Sequence, residues 1–402
     1  MLNLKTYISE KVNNTNRLTH LSHLEDLVFE EGASGVNDAI NSIVIYHSIV
    51  QRRPAPAKLT TKWDGSPSII IHHSSKDYWV ASKSAFNKTP KLNRTEKDIE
   101  ENHGHAPGLV EKMKYALKYA KKLGINGTVQ GDFLYTENDL KPMNIDGVKY
   151  VTFKPNTNVY AVPVASDLAK RILASKMGII FHTSYAGSDP ATMTASIGTY
   201  SVKKLKKTPE IFFDDAYIKD ETTDISMSPA EEQQITNIIV KLKQLQRVLP
   251  AKFLNQLANH DALAPLMASY NNSNVRAGDY TSPQVANGFV PFIEAKYKKE
   301  IEKLKTEKAK AGRITTRDEL VKFITDNHTK LVFAYEVFSL LAAAKMMIVA
   351  KLNKLKTMRS FVQRGNSLVP TSPEGFVAVH DHRVVKLVDR LEFSRNNFLN
   401  KN

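Results

Sequence analysis

The order of β and helical patterns along the 402-residue chain is the feature that most constrains its fold. Short runs rich in β-branched and aromatic residues, separated by turn residues, occupy residues 58–184, and two more lie within residues 375–388. Between these parts, residues 229–362 carry apolar residues at helical spacing. The return to strands predicts that the helical block is inserted into a sheet-forming domain. We therefore expect an α+β fold with antiparallel sheets and a large all-α insertion.

The same pattern predicts three regions. Residues 1–56 form an N-terminal helical segment with a break at Ser34-Gly35, and Pro54 and Pro56 end it because proline disfavours helix at and before its position. Residues 57–205 and 370–402 form the sheet domain, and residues 206–369 form the basic helical insertion. The predicted strands are 58–62, 68–73, 78–82, 128–135, 150–153, 159–164, 178–184, 375–379 and 384–388. The predicted helices include 108–123, 166–176, 229–249, 251–270, 283–310 and 317–362.

Composition excludes several classes of protein. The chain has no cysteine, which rules out disulfides, thiolate zinc sites and cysteine nucleophiles. The first residues lack the apolar core of a secretory signal. The longest apolar stretch, residues 332–350, is interrupted by Glu336 and Lys345, which favours a buried core helix over a membrane span. We expect a cytoplasmic monomer with no membrane partner.

The basic residues are unevenly distributed. The net charge of +15 indicates a polyanionic partner, with nucleic acid favoured over a membrane surface. Residues 293–365 hold 17 Lys and Arg against 8 Asp and Glu, so +9 of the total lies there. A solvated helical face would show a similar excess, but its concentration in one stretch favours binding of nucleic acid.

One short segment is typical of nucleophilic chemistry. Thr60-Thr61-Lys62-Trp63-Asp64-Gly65-Ser66 places a lysine at the end of a predicted strand, directly before an Asp-Gly turn. Such a turn exposes the lysine amine at the edge of a sheet, and a deprotonated lysine is a nucleophile. An incidental lysine in a surface hairpin would give the same pattern.

Lys62-Trp63-Asp64-Gly65 resembles motif I of the covalent nucleotidyltransferases, which comprise ATP-dependent DNA ligases, RNA ligases and mRNA capping enzymes. The following Ser66 is more similar to the RNA ligases, since many DNA ligases have arginine at the next position, where this chain has Pro67. The resemblance implies an antiparallel-sheet adenylation domain in which Lys62 takes AMP from ATP.

Further segments resemble the later motifs of this family, in the family's order. They are 82–86 (SKSAF), 131–134 (GDFL, motif III), 150–153 (YVTF, motif IIIa), 374–377 (EGFV, motif IV) and 385–388 (VKLV, motif V). Together with motif I they cover residues 58–164 and 374–390. Residues 19–26 (THLSHLED) and 386–390 (KLVDR) also resemble a group of tailed-phage proteins, which implies the host cytoplasm as location.

The resemblance implies a role for each matching residue. Thr61, Asp64 and Gly65 belong to the nucleotide site around Lys62, and Lys83 contacts the nucleotide. Phe153 stacks on adenine, with Tyr160 as the alternative ring.

The remaining implied roles concern phosphate and metal. Lys386 contacts the α-phosphate, and Glu374 holds Mg²⁺. Asp132 either joins Glu374 as a metal ligand or hydrogen-bonds the ribose. Lys62, Glu374 and Lys386 are therefore expected to converge in one cleft.

This chain departs from the family pattern at three points. Motif III has Asp132 in place of glutamate, and motif V has Val388 where a second lysine is usual, with Arg390 as a possible substitute. Only 16 residues follow Lys386, too few for the OB domain of most DNA ligases and capping enzymes. The basic helical insertion is then expected to hold much of the substrate.

The favoured function is an ATP-dependent polynucleotide ligase that seals 3′-OH/5′-phosphate breaks through a lysyl-AMP intermediate. Sealing of nicked duplex DNA is preferred, with RNA tolerated, because a large basic insertion suits a duplex. The alternatives are an RNA ligase, a capping-type guanylyltransferase, and a non-catalytic nucleic-acid-binding protein with a relic nucleotide pocket.

Overall fold

The computed structural model describes residues 21–187, 189–197, 200–218, 223–280, 282–355, 359–364, 367–371, 375–380 and 383–391. The strands are β1 (Ser22–His23), β2 (Ala57–Lys62), β3 (Ser68–His73), β4 (Tyr78–Ala81), β5 (Gly127–Thr136), β6 (Lys141–Ile145), β7 (Val148–Phe153), β8 (Asn158–Pro163), β9 (Met177–Ala186), β10 (Thr194–Ile197), β11 (Ile211–Asp215), β12 (Arg359–Arg364), β13 (Ser367–Thr371), β14 (Gly375–His380) and β15 (Arg383–Leu387). The helices are α1 (Leu27–Glu30), α2 (Gly32–Val50), α3 (Glu96–His103), α4 (Pro107–Tyr119), α5 (Asp167–Ala174), α6 (Pro229–Val248), α7 (Ala251–Asn259), α8 (Leu263–Ala277), α9 (Phe289–Ile301), α10 (Glu307–Asp326) and α11 (His328–Leu352).

These elements form two compact units. The sheet unit contains the described residues within 58–222 and 356–384, and the helical unit contains those within 22–57, 223–355 and from 385 onward. The expected mixture of helices with largely antiparallel sheets is confirmed. Residues 1–20 of the predicted N-terminal segment lie outside the described residues.

A six-stranded sheet forms the centre of the sheet unit. Its order is β10-β9-β5-β3-β4, and β11 also pairs with β9, in parallel. One face packs against α4 through a core that includes Ile69, Val129, Phe133 and Met113. Because side chains alternate across a strand, Ser68, Gln130 and Asp132 lie on the opposite face. The face opposite the core therefore carries polar side chains.

A five-stranded antiparallel sheet, in the order β13-β12-β8-β7-β6, completes most of the sheet unit. The pairing of β12 with β8 corrects one prediction. Residues 359–362, expected to continue a helix from 317, instead pair with residues 158–161. Their β-branched and aromatic side chains fit a strand, and Phe361 is buried between Tyr150 and Val159.

Strand β2, which ends at Lys62, has a neighbour from the C-terminal part of the chain. β14 lies beside β2 in the sheet, and the hydroxyl of Thr60 donates to the carbonyl of Val377 at 3.3 Å. The prediction that the tail completes a sheet begun before the helical block is thereby confirmed.

The helical unit is built around α11. This helix is long and apolar enough by composition to cross a membrane, yet just over half of its apolar window is buried within the structure. Its Lys345 is fully buried and lies 2.7 and 2.9 Å from the two carboxylate oxygens of Glu25. Such packing is that of a core helix in the described part of the chain, as expected from the interruptions by charged residues.

The units do not follow the predicted boundaries. Residues 22–57 pack with the helical block rather than forming a separate segment, and Ser34-Gly35 lies within α2 instead of breaking it. A Cβ on Gly35 would lie 2.0 Å from the carbonyl oxygen of Leu27, so this glycine permits the close approach of α1 and α2. Residues 385–391 also join the helical unit, because Val385 and Lys386 of β15 pair in parallel with Ser22 and His23.

Candidate active site

Lys62 is the last residue of β2. The backbone N–H of the neighbouring Thr61, which is buried, donates to the carbonyl of Ala216 at 2.8 Å. Lys62 itself is half-buried, and the strand that begins at Gly375 is the neighbour of its own strand. Lys62, the predicted nucleophile, therefore lies at the end of a strand that is hydrogen-bonded to Ala216 and lies beside β14.

Asp64 is a buried anchor for the turn after Lys62. Its carboxylate accepts hydrogen bonds from the side-chain amide of Asn156 at 2.7 Å and from the backbone N–H groups of Thr157 and Asn158 at 2.8 and 2.6 Å. Burial raises the pKa of Asp64 above its ordinary value, while these hydrogen bonds and the positive charge of Lys62 lower it. Since its oxygens are engaged by the β7–β8 turn, Asp64 is a structural residue of the site.

Gly65 and Ser66 bring the turn onto β5. The N–H of Ser66 donates to the carbonyl of Phe133, and the N–H of Phe133 donates to the carbonyl of Pro67, both at 3.0 Å. A Cβ on Gly65 would lie 2.4 Å from the Cβ of Asp132. Only glycine permits so close an approach, so the segment after Lys62 is held against Asp132.

Asp132 has a histidine neighbour, His182, that the sequence analysis did not identify. The β5–β9 register shifts between Gln130 and Gly131, which pair with Thr183 and Phe181, so His182 is an extra residue in β9. Such bulges redirect side chains. The Nε2 of His182 lies 3.5 Å from Oδ1 of Asp132, and both side chains are about a fifth exposed. No sequence motif predicts the pairing of Asp132 with His182, because it depends on the bulge in β9.

A polar row continues from Asp132 along the same face of the sheet. The amide of Gln130 donates to the hydroxyl of Ser68 at 2.7 Å, and the hydroxyl of Tyr185 donates to the amide oxygen of Gln130. Lys83, which is exposed, begins a short 3-10 helix two residues after Ala81, the partner of Ile70. It therefore lies at the end of the sheet where Ser68 pairs with Asp132.

The two rings predicted to stack on adenine lie in the core. Phe153 and Tyr160 are each 2% exposed, and their ring centroids are 5.5 Å apart. The Tyr160 hydroxyl accepts a hydrogen bond from the N–H of Asp64 at 2.8 Å. Neither ring presents a free face in this conformation, because β7 and β8 turn both towards the cluster around Tyr135. Trp63, half-buried, packs on Tyr160 at 5.3 Å.

Neither of the two remaining predicted residues belongs to the described part of the sheet unit. Glu374, which directly precedes β14, falls outside the described residues. Lys386 is a half-buried residue of β15 in the helical unit, where it pairs with His23. The expected convergence of Lys62, Glu374 and Lys386 stays a prediction.

Two further residues support the Lys62 segment. Asn156 was missed, although Pro155-Asn156-Thr157-Asn158 is a turn sequence whose asparagines often bond to nearby backbone. Lys112, on α4, donates to the carbonyl of Ser66 at 2.8 Å, and burial lowers its pKa. Neither residue has a recognisable spacing from Lys62, because both contacts bring together distant parts of the chain.

The donor set around Asp132 suits Mg²⁺ and a ribose equally. Mg²⁺ binds one or two carboxylates and keeps several waters, and Asp132 offers one partly exposed carboxylate. Asp64 is unsuited to this role because its carboxylate is occupied. Asp132 is thus the acid on this face whose oxygens are accessible to a metal or to a hydroxyl group.

Comparison with known proteins places the chain in a family without indicating a function. No curated protein and no solved structure matched the chain. One family model, described as "Family of unknown function (DUF6267)", matches residues 14–402 and so spans both units. The chain therefore belongs to this family.

Proposed function

We propose that the protein is an ATP-dependent polynucleotide ligase, in which the sheet unit is the adenylation domain and Lys62 is the nucleophile. The observation that carries the proposal is the attachment of the Lys62 segment to β5, where the carbonyl of Phe133 accepts from Ser66 and Gly65 lies against Asp132. Two segments that resemble motifs I and III, about 65 residues apart in sequence, thus meet at one end of one sheet.

The first step of the proposed reaction needs a positioned amine. Lys62 Nζ, after losing a proton, attacks the α-phosphorus of ATP, and the bond from that phosphorus to the bridging oxygen breaks to release pyrophosphate. A phosphoramidate links AMP to Lys62. Asp64 fixes the turn on which the amine is carried, through its three hydrogen bonds to residues 156–158. Positioning of this kind supplies much of the catalysis in nucleotidyl transfer.

The next two steps transfer AMP to a 5′-phosphate end and then join the ends. A phosphate oxygen of the 5′ end attacks the α-phosphorus, and the bond to Lys62 Nζ breaks. The 3′-hydroxyl of the other end, as it loses its proton, then attacks the activated phosphate and expels AMP.

When bound, Mg²⁺ would neutralise negative charge on the phosphate oxygens. Asp132 is the described residue suited to hold it, and Nε2 of His182 lies 3.5 Å from the Asp132 carboxylate. Glu374 and Lys386 are proposed to complete the metal and phosphate contacts from the resemblance alone. If Asp132 instead binds the ribose, Glu374 is the sole proposed protein ligand of the metal.

We propose nicked duplex DNA as the preferred substrate, with RNA tolerated, and action as a monomer in the cytoplasm of a phage-infected host. The excess of 17 basic over 8 acidic residues within 293–365 supports a nucleic-acid partner. We propose that the basic helical insertion holds the substrate.

The decisive experiment is covalent labelling with α-³²P-ATP in the presence of Mg²⁺. The wild-type protein should acquire an acid-labile label that Lys62→Ala abolishes. Lys112→Ala is a useful comparison because it removes a lysine that contacts the same turn but is not the nucleophile, and it should retain some label. Absence of label on the wild-type protein from ATP, NAD or GTP would refute the proposal and favour a relic pocket.

Substrate choice needs a separate assay. Nicked DNA, nicked RNA and hybrid duplexes, together with single-stranded RNA, should be compared with one enzyme preparation. Faster sealing of RNA breaks would favour the RNA ligase alternative. Label from GTP alone would favour a capping-type guanylyltransferase.

A further inference from the structure

In the helical unit, the end of α9 and the start of α10 are unusually basic. α9 and α10 are joined by residues 302–306, and Arg313 of α10 returns to α9, where it lies 2.6 Å from Glu300 and 5.0 Å over the ring of Tyr297. Between Lys296 and Arg313 there are eight basic and three acidic residues, a local excess of +5. We call residues 296–313 the basic hairpin.

The first part of α10 contributes no buried residue to the core of its unit. The first buried residue of α10 is Leu320, so the thirteen residues before it, 307–319, bury no side chain. At 1.5 Å per residue, this segment is about 20 Å long. Tertiary packing normally stabilises a protein helix through an apolar face, and this segment has none. Its length and exposure suit it to contact another molecule.

The acidic residues of the hairpin neutralise few of its lysines. Glu300 pairs with Arg313, and Glu307 pairs with Lys310. Six exposed lysines make no ion pair within the part of the chain that the structure describes; they are Lys296, Lys298, Lys299, Lys303, Lys305 and Lys308. A merely solvated helical face would be expected to alternate the two signs of charge.

Three of these lysines lie around the tip of the hairpin. Lys303 and Lys305 lie in the connection after the C-terminus of α9, and Lys308 lies in the first turn of α10. A cation near a helix N-terminus is unfavourable because the helix dipole is positive there, so Lys308 does not stabilise α10. The three charges at the tip are suited to an anionic partner.

We infer that the basic hairpin binds the phosphate backbone of a nucleic-acid duplex. This inference rests on the proposed function, because it identifies the hairpin as the element that holds the DNA to be sealed. Lysines act as point charges on phosphates without reading bases, so the hairpin should bind without sequence preference.

The test compares two triple variants with the same loss of charge. One changes Lys303, Lys305 and Lys308 to Gln, and the other changes the exposed Lys243, Arg247 and Lys252 of α6 and α7 to Gln. Affinity for a nicked DNA duplex is measured over a range of salt concentrations. Each phosphate contact contributes about 0.9 to the slope of log K against log salt. The hairpin triple variant should reduce the magnitude of that slope by roughly 2 to 3, and the control triple variant by under about 0.5.

The outcomes separate this inference from the proposed function. Both triples should keep the ATP-dependent label on Lys62 and the wild-type melting temperature, since all six residues are exposed. A lowered slope with DNA and hybrid duplexes alike supports backbone binding, whether or not the wild-type protein takes a label. An unchanged slope, an equal loss in the control triple, or a loss confined to single-stranded DNA overturns the inference.

Discussion

The backbone N–H of Asn158 donates a 2.6 Å hydrogen bond to the carboxylate of Asp64, which joins the turn after Lys62 to the start of β8. Asp64→Asn replaces one of the two accepting oxygens with an NH2 group that only donates, so the donor that faces it loses its acceptor. Such a loss costs about 1–3 kcal/mol. We expect labelling of Lys62 to fall sharply while the rest of the sheet unit stays folded, as measured by labelling and circular dichroism.

Asn156→Ala provides the graded comparison for Asp64→Asn. It removes one side-chain donor and leaves the two backbone donors of Thr157 and Asn158 in place. The label should therefore fall by less than in Asp64→Asn. Equal losses in the two variants would show that the turn does not depend on the shared carboxylate.

Gly65→Ala should impair the site through crowding alone. The added Cβ would lie 2.4 Å from the Cβ of Asp132, and overpacking of a well-packed contact costs about 1–3 kcal/mol. Gly312→Ala is the matched control because its Cβ would meet nothing within 4 Å on α10. That change should raise stability by up to ~1 kcal/mol and leave labelling unchanged. If Gly65→Ala labels normally, the close approach to Asp132 is not needed for activity.

The buried pair of Glu25 and Lys345 should show strong coupling. Lys345→Met leaves the Glu25 carboxylate buried without the ammonium that contacts both its oxygens, and removal of one partner of a buried pair costs about 3–5 kcal/mol. Adding Glu25→Leu should restore most of that loss. A double-mutant cycle from urea denaturation measures the coupling, and simple additivity would contradict it.

Asp26 should make the stability of the helical unit depend on pH. Burial raises its pKa from 3.8 to about 6, although Arg390, 2.8 Å away, lowers it. The folded state thus keeps a proton that the unfolded state has lost. The stabilisation is complete below pH 3.8 and disappears as the pH rises through about 6. One pKa unit corresponds to about 1.4 kcal/mol, and the shift from 3.8 to about 6 spans roughly two units. The difference in unfolding free energy between wild type and Asp26→Asn should therefore change by about 3 kcal/mol across this pH range.

Urea denaturation at several pH values measures this dependence. Asn resembles the protonated carboxylic acid, so the Asp26→Asn curve should be flatter between pH 4 and pH 6 than the wild-type curve. Parallel curves would contradict a raised pKa for Asp26. Asp98→Asn is the control, because Asp98 is only partly buried, lies in the sheet unit and has a lowered pKa.

Much of the sheet unit was predictable from local pattern. Residues 68–73 and 128–135 were expected as strands and are strands, because alternation and turn residues act over a few positions. Residues 359–362 were misassigned to a helix because a long apolar helix precedes them, and only pairing with β8 reveals the strand. The single helix expected over 283–310 is a short 3-10 turn, then α9, then the start of α10.

The candidate site was predictable only where one short segment carries the signal. Lys62, Asp64 and Gly65 follow each other in sequence, and their turn was expected. The carboxylate partners at 156–158 and the bulge at His182 arise from pairing between distant strands, which spacing along the chain does not encode. Phe153 and Tyr160 are buried by the packing of β7 and β8, as apolar and aromatic residues of a strand favour, although the family resemblance implies that one of them stacks on adenine.

The pairing of Ser22 with Val385 has a consequence for how the chain is made. The two residues are 385 − 22 = 363 positions apart, and ribosomes add about 5–20 residues per second, so the second partner is synthesised roughly 20–70 seconds after the first. Throughout that interval, β1 and the carboxylate of Asp26 lack their partners, Val385 and Arg390. The helical unit can therefore reach its final packing only after residue 390 has been synthesised, so its apolar core stays open to chaperones for longer than that of a unit made from contiguous sequence.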